Sequence, residues 1–260
     1  MRSILVNADR SSGSDARVET ALSLARAMGG HVSVLVDTPV ARYISMDPLG
    51  GSYVATDALN QAMAEDDAAA SRIEARLQGQ DVPFNIIRSE AEPVEALGSA
   101  ARLADIVVLS RGNGLAGGVA LTSRTPVLVI SEGKALSMPL SKVCIAWDGG
   151  DEAALALRGV VPLLKGGVSV EVLTVAEKLR GFPTTDALRY LSRHGVSAEL
   201  RELERKGSTE ETLARAAAQA GADLLVMGAY GHSRMREYLF GGVTRYFLEE
   251  SEGPALLLAH

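Results

Sequence analysis

The chain contains one pattern twice, and this repetition strongly limits the folds it can adopt. Residues 3–9 and 142–148 are both apolar runs that end in an aspartate. Each is followed by a helical pattern, then by a Gly-Gly pair, and then by a second apolar run. Strands that alternate with helices are typical of βαβ units and a parallel sheet. We therefore expect two similar α/β halves within the 260 residues.

The repetition continues to the end of each half. Residues 104–109 match residues 222–227, and residues 125–130 match residues 253–258. The nearly continuous apolar strands are typical of a sheet covered on both faces. Each half is predicted to be a Rossmann-like domain with five mostly parallel strands and about four helices. Residues 133–141 are polar and contain Gly and Pro, so we predict domains at residues 1–138 and 139–260.

The Gly-Gly pairs predict where the first helix of each half ends. Gly29-Gly30 and Gly166-Gly167 each follow a helical pattern. Glycine is the usual residue at the left-handed position that closes a helix. We therefore expect the first helix of each half to run as far as its glycine pair.

The second half contains a glycine pattern that suggests phosphate binding. Gly228, Gly231 and Gly241 lie between an apolar run, residues 223–227, and a helical pattern, residues 243–250. Glycine lets the backbone approach a ligand closely. A helix N-terminus then offers unpaired N–H groups to an anion. The alternative is a tight strand-to-helix connection in which the glycines serve only the geometry.

Local charge favours the phosphate interpretation. The chain has a net charge of −6, yet residues 228–245 carry Arg234, Arg236 and Arg245 against one acid, Glu237. His232 also lies in this segment. Ion pairs with neighbouring carboxylates, or exposure to solvent, would explain the arginines equally well.

The first half is shorter at the corresponding place. Asp105 lies 21 residues before Pro126, whereas Asp223 lies 31 residues before Pro254. The missing residues fall in the glycine segment and at the start of its helix. The first half is therefore predicted to lack a phosphate-binding loop. Gly112, Gly114 and Gly117 spell a dinucleotide fingerprint, but only a short helix fits after them, which disfavours that interpretation.

Composition excludes several classes of function. A pI near 5.3 argues against binding to nucleic acid, and no run approaches the roughly 20 apolar residues of a membrane span. The N-terminal apolar run is too short for a signal peptide. The single cysteine, Cys144, lies in an apolar run and is predicted to be a core residue. The four histidines lack metal-ligand spacing, so we expect no metal site. Because one cysteine cannot form an internal disulfide, the simplest location is a reducing cytoplasm.

These residues resemble the universal stress protein family in its tandem two-domain form. Nucleotide-binding members of that family carry Gly-x2-Gly-x9-Gly-(Ser/Thr), which Gly228, Gly231 and Gly241 match. The resemblance covers both repeats. It implies the adenine nucleotide alpha hydrolase-like fold and pairing of the two halves through their last strands, residues 126–130 and 254–259, as an internal pseudo-dimer.

The resemblance also implies which residues contact a nucleotide. Asp148 would meet the ribose and base, and Val175 would face adenine. Gly242 stands where the family has Ser or Thr, so one hydroxyl donor is missing, and Thr244 is a candidate substitute. The complete set implied by the resemblance is Asp148, Val175, Gly228, Gly231, Gly241, Gly242, Val243 and Thr244.

The family resemblance implies a stress-response regulator that binds ATP, ADP or AMP, with or without Mg²⁺. No positioned nucleophile or general base is evident in the sequence, so we predict a sensor with no catalytic residues. A slow Mg²⁺-dependent ATPase and a ligand-free protein-interaction module are the alternatives. A homodimer and an unidentified protein partner are further expectations. Residues 37–55 form an insertion in the first half, interpreted as a lid, a partner loop or a plain surface excursion.

Overall fold

The computed structural model describes residues 1–46, 52–112, 114–175, 181–231, 242–250 and 252–260. The elements of the first half, in chain order, are β1 (Ser3–Asn7), α1 (Ser14–Met28), β2 (His31–Asp37), β3 (Ile44–Met46), β4 (Ser52–Val54), α2 (Thr56–Gln78), β5 (Phe84–Ser89), α3 (Pro93–Ala100), β6 (Ile106–Ser110), α4 (Leu115–Thr122) and β7 (Val127–Ile130). Strands β3 and β4 pair with each other as a small antiparallel hairpin within the insertion.

The second half repeats the pattern without the hairpin. Its elements are β8 (Lys142–Ala146), α5 (Asp151–Val160), β9 (Ser169–Val175), α6 (Thr184–Arg193), β10 (Ala198–Leu203), α7 (Thr209–Ala220), β11 (Leu224–Gly228), α8 (Gly242–Glu249) and β12 (Ala255–Ala259). Each half thus contributes five strands to the main sheet, as predicted.

The ten strands other than β3 and β4 form one continuous sheet in the order β10-β9-β8-β11-β12-β7-β6-β1-β2-β5. Neighbours within each half are parallel, because their connections cross over through helices. The two halves meet at β7 and β12, which are antiparallel with Leu128 opposite Leu257. The pairing of last strands implied by the family resemblance is therefore present within one chain.

Helices cover both faces of the sheet, as the apolar strands predicted. Successive residues of a strand point to opposite faces, so Ile4 and Val6 belong to one core layer and Leu5 to the other. The first layer contains buried residues of α1, α2, α5 and α6, and the second contains those of α3, α4, α7 and α8. The fold is the predicted α/β class.

The two predicted helix ends have different outcomes. Helix α1 ends at Gly29, whose φ of 60° and N–H bond to the Ala25 carbonyl close it as predicted. The prediction for α5 was wrong, because the α-helix ends at Val160 and a 3₁₀ turn, Val161–Leu163, follows it. Pro162 lies in that turn, and proline has no N–H with which to continue an α-helix.

A repeated aspartate fixes the first strand of each half. Asp105 Oδ2 accepts hydrogen bonds from the N–H groups of Arg2 and Ser3, at 2.5 and 3.0 Å. Asp223 Oδ2 accepts from Ser141 and Lys142, at 2.7 and 3.0 Å. The same contact in both halves confirms that the repeat is structural as well as sequential.

Candidate functional site

Three of the predicted site residues lie at one edge of the sheet. Strand β8 lies between β9 and β11, and all three run in the same direction. Asp148 follows β8, whereas Val175 and Gly228 are the last residues of β9 and β11. Ligands of open α/β sheets bind at the carboxyl ends of the strands, which is where these residues come together.

Asp148 forms a turn at this edge. Its side chain is exposed, and Oδ1 accepts a hydrogen bond from the Gly150 N–H at 2.9 Å, just before α5 begins. This turn role is compatible with ligand contact through the other carboxylate oxygen.

Sequence reasoning missed the segment that lies beside Asp148. The Phe182 N–H donates to the Gly149 carbonyl at 3.0 Å, and Trp147 Nε1 donates to the Phe182 carbonyl at 3.2 Å. These bonds hold residues 181–182 against the loop between β8 and α5, while the Phe182 side chain is 53% exposed. An aromatic residue before a helix gives no signal in the sequence that it will pack there.

Gly228 is required by packing. A Cβ at this position would lie 2.6 Å from the Ala153 nitrogen and 2.7 Å from the Glu152 carbonyl carbon. The end of β11 therefore lies directly against the first turn of α5, where no larger residue fits. This contact explains the first glycine of the motif without a ligand.

Gly231 is exposed but has an acidic neighbour. A Cβ at position 231 would lie 2.8 Å from Glu152 Oε2, and one at Gly150 would lie 3.5 Å from the same oxygen. The Glu152 carboxylate thus borders two loops of the candidate site. Sequence reasoning missed this residue because it looked like an ordinary acid in the first turn of a helix.

Several residues of the predicted loop lie outside the described part of the chain. They are His232, Arg234, Arg236, Glu237 and Gly241. Arg245 is described, and its Nε forms an ion pair with Glu249 Oε1 at 2.7 Å within α8.

Helix α8 starts at an exposed glycine, Gly242. A Cβ at this position would meet none of the described residues within 4 Å. Val243 is half-buried, whereas Thr244 is 3% exposed and its Oγ1 accepts a hydrogen bond from the Tyr230 N–H at 3.4 Å. The hydroxyl of Thr244 therefore joins the end of β11 to the first turn of α8. Its predicted role as a phosphate donor stays a prediction.

Tyr230 lies inside the glycine motif and connects the two halves. Its hydroxyl donates to the Gly117 carbonyl of α4 at 3.0 Å, and its ring packs edge-on against His260. Burial raises the pKa of Tyr230 to about 12, so the phenol keeps its proton at neutral pH. No short pattern in the sequence indicates this contact, because the two partners lie 113 positions apart in the chain.

The equivalent positions of the first half can be assigned from the strand registers. Asn7 pairs with Leu35 as Ala146 pairs with Leu173, which places Asp37 where the second half has Val175. The N–H groups of Arg111 and Ala229 each bond to the last residue of the last strand in their half. Ser110 therefore stands where the second half has Gly228.

In the first half, a buried arginine lies beside Ser110, the equivalent of Gly228. Arg17 of α1 is 0% exposed. Its guanidinium donates to Asp9 Oδ1 at 2.6 Å, to Ser110 Oγ at 2.6 Å and to the Asn7 carbonyl at 2.8 Å. Burial alone would raise the pKa of Asp9, but hydrogen bonds from Ser11 and the charge of Arg17 outweigh it and lower that pKa.

Asp37 adds a second carboxylate to this polar cluster. It accepts a hydrogen bond from Asn7 Nδ2 at 2.9 Å. Burial raises the pKa of Asp37 above its usual value, because the hydrogen bond from Asn7 does not fully compensate for the lost hydration. The apolar contact that Val175 could offer to a base is thus replaced by an acid.

The glycines of the first half that spell a dinucleotide fingerprint lead into the interface between the halves, where the Gly117 carbonyl contacts Tyr230. Helix α4 is eight residues long and contacts α8. Arg111, just before these glycines, donates to the carbonyls of Glu250, Glu252 and Pro254, at 3.3, 3.0 and 2.5 Å. These three residues connect α8 to β12 in the second half.

Comparison with known proteins agrees with this duplicated architecture. The family model described as the Universal stress protein family matches residues 1–130 and again residues 139–259. The chain belongs to the universal stress protein family. The tandem form predicted from the repeat is confirmed by the two separate matches.

Individual universal stress proteins resemble the chain at low sequence identity. Universal stress protein MJ0577 of Methanocaldococcus jannaschii is 23% identical over 143 residues, which are 52% of this chain and 88% of that protein. A universal stress protein from Archaeoglobus fulgidus has the same fold, with a TM-score of 0.72, 17% identity and coverage of 98% of this chain and 97% of its own. A universal stress protein solved in complex with cAMP matches 47% of this chain and 98% of its own, at 22% identity and a TM-score of 0.37.

The remaining side chains of interest have structural explanations. Cys144 is buried, as predicted, and burial together with the Glu171 carboxylate raises the pKa of its thiol to about 11. Among the described residues, no group of three or more His, Cys, Asp or Glu could hold a metal ion. The helices in the described ranges include none long and apolar enough to cross a membrane.

Proposed function

We propose that the second half binds ATP, or the related ADP or AMP, and that the protein is a nucleotide-responsive regulator of the stress response. The difference between the two halves carries this proposal. In the second half, the exposed start of α8 is joined through Thr244 to the turn that carries the exposed Gly231, at the carboxyl ends of three strands. In the first half, the buried Arg17 guanidinium contacts Ser110 and Asp9, which are the equivalents of Gly228 and Asp148.

The residues of the second half fit a nucleotide in their chemistry. The N-terminus of α8 supplies unpaired N–H groups and a partial positive charge to phosphate. Gly228, Gly231, Gly241, Gly242 and Val243 would hold phosphates through their backbone. Asp148 would accept hydrogen bonds from the ribose hydroxyls, and Val175 would cover the base. We expect one nucleotide per chain, with Mg²⁺ offsetting part of the negative charge near Glu152.

A ligand-free interaction module is the second candidate, and two observations favour it. Packing against α5 already explains Gly228, and the Glu152 carboxylate beside Gly231 opposes an anion. In that case the motif would be a structural connection, as the sequence also allowed. A slow ATPase would differ from both candidates by releasing phosphate when Mg²⁺ is present.

Substitution at Gly242 distinguishes these functions. Gly242→Asp should leave the fold intact, because Gly242 is exposed, a Cβ there would meet no described residue within 4 Å, and an acid at a helix start is favourable. The new carboxylate should nevertheless repel phosphate and lower ATP affinity by about tenfold or more. The matched control, Gly242→Asn, has the same shape without the charge and should retain much more of the affinity.

The assay is isothermal titration of the purified protein with ATP, ADP and AMP, with and without Mg²⁺. Mass spectrometry of denatured protein would detect a nucleotide retained from the cell. Absence of both retained nucleotide and measurable binding would support the interaction module. Phosphate release that requires Mg²⁺ would support the ATPase.

Assembly and location remain proposals. Because β7 and β12 already pair within the chain, a homodimer would have to use another surface than the last strands. Sedimentation at several protein concentrations would measure this association, and fractionation of cells would test the predicted cytoplasmic location.

A further inference from the structure

Tyr230 adopts a backbone conformation that is unfavourable for a residue with a side chain. Its φ is +64°, and it is the one non-glycine residue with a positive φ among those that the structure describes. The left-handed region brings Cβ close to the backbone, so such residues are uncommon outside glycine and asparagine. Outliers of this kind concentrate at functional sites, where surrounding contacts hold them in place.

Tyr230 is held by its side chain and by the backbone around it. The residue is 7% exposed, and its hydroxyl donates to the Gly117 carbonyl on α4 of the first half at 3.0 Å. Its N–H points to Thr244 Oγ1 in the first turn of α8. The preceding carbonyl, of Ala229, lies 3.0 Å from His260 Nδ1. The turn between Gly228 and Gly231 is therefore fixed from three directions.

The first half also holds the far end of α8. Arg111 lies at the end of β6 in the first half and donates to three carbonyls in the segment that follows α8. Both the start of the glycine motif and the exit of its helix are thus attached to the first half. These two contacts use different side chains and do not depend on each other.

We propose that the first half supports the turn formed by residues 228–231 of the second half, with Tyr230 as the positioning residue. The bond from Tyr230 to Gly117 holds this turn so that the Gly231 N–H faces a phosphate. This inference rests on the proposed nucleotide binding. Since coupling between two sites is reciprocal, nucleotide binding should in turn tighten the contact between α4 and the second half.

The experiment compares wild type with Tyr230→Phe, which removes only the hydroxyl. Tyr190→Phe on α6 is the matched control, because this half-buried tyrosine lies away from the loop. We expect Tyr230→Phe to weaken ATP binding by about threefold to tenfold, the usual effect of one hydrogen bond. Binding of adenosine, which has no phosphate, should be unchanged in both variants.

The outcomes separate this inference from the proposed function. If wild type binds no nucleotide, the proposed function fails and this inference fails with it. If wild type and Tyr230→Phe bind ATP equally, only the inference fails. An equal loss for ATP and adenosine would show that Tyr230 supports the fold in general, which also overturns the positioning role.

Hydrogen exchange on unmodified protein provides a second test that needs no variant. Addition of ATP should slow amide exchange in α4 of the first half, because the loop and α4 are joined through Tyr230. Peptides from α2, on the opposite face of the sheet, serve as the control. Unchanged exchange in α4 at saturating ATP would overturn the inference.

Discussion

Replacement of Glu152 by glutamine should strengthen nucleotide binding while slightly weakening the fold. Glu152 lies in the first turn of α5, and its Oε2 would be 2.8 Å from a Cβ at Gly231. A phosphate held by the backbone at Gly231 would therefore lie close to this carboxylate. Glutamine keeps the shape of the side chain and removes the charge.

The magnitude follows from the separation and the exposure. Two unit charges about 5 Å apart interact by about 0.8 kcal/mol in water and about 3 kcal/mol at an effective dielectric of about 20. Glu152 is half-exposed, so solvent screening favours the lower value. We expect a gain of about 1 kcal/mol, or about fivefold in ATP affinity. Loss of an acid at the N-terminus of α5 should lower stability by about 0.3–1 kcal/mol.

The assay is calorimetric titration with ATP at low ionic strength, first without Mg²⁺ and then with it. Asp151→Asn is the matched control, because Asp151 is an exposed acid in the same turn of α5. It shares the loss of helix stabilisation but should gain little affinity. Mg²⁺ should reduce the advantage of Glu152→Gln, since the cation already offsets the repulsion. Unchanged or weaker ATP binding by Glu152→Gln would refute a phosphate beside Gly231.

Two further predictions concern the polar cluster of the first half. Arg17→Met should lower the free energy of unfolding, measured by urea titration, by about 3–5 kcal/mol, because it leaves Asp9 without its buried partner. The control is Arg26→Met, a partly exposed arginine on the same helix, which should lose less than about 1 kcal/mol. Equal losses in the two variants would contradict this reasoning. Asp37→Asn should raise the melting temperature at neutral pH. The folded state raises the pKa of Asp37 above 3.8, so ionisation of Asp37 lowers stability as pH rises through that pKa. The advantage of Asp37→Asn in melting temperature should therefore disappear towards about pH 4. An advantage that does not depend on pH would contradict an origin in the ionisation of Asp37.

Local and repeated features could be predicted from the sequence because they depend on periodicity. The five main-sheet strands of each half and the close of α1 at Gly29 are present as predicted. The predicted end of α5 at the glycine pair was wrong because Pro162, in the 3₁₀ turn after Val160, has no N–H with which to continue the α-helix. These errors and successes concern neighbours in the chain, where propensity and capping decide the structure.

Contacts between distant segments could not be predicted in the same way. Arginine is usually an exposed residue, and Arg17 is buried because Asp9, Ser110 and the Asn7 carbonyl accept its hydrogen bonds. The bond from Tyr230 to Gly117 depends on how α4 and α8 pack after β7 and β12 have paired. Such contacts follow from the assembled fold, and no short pattern in the sequence encodes them.

At equivalent places of their interface, the two halves contribute different side chains. Two identical chains could not supply this difference, whereas a single chain with two different halves does. Arg111 and Ala229 occupy the same position after the fourth main-sheet strand of their halves, and Gly112 and Tyr230 occupy the next. The first half contributes Arg111 across the interface, whereas the second contributes Tyr230. In a symmetric dimer of identical chains, the loop after the fourth main-sheet strand would have the same sequence in both subunits. One subunit could then not use this loop to bind a nucleotide while the other used it only for support. Fusion of both halves in one chain removes this restriction, because each half can then have its own sequence. The first half can place Arg17 beside Ser110 and Asp9, while its Gly117 carbonyl binds Tyr230 of the second half.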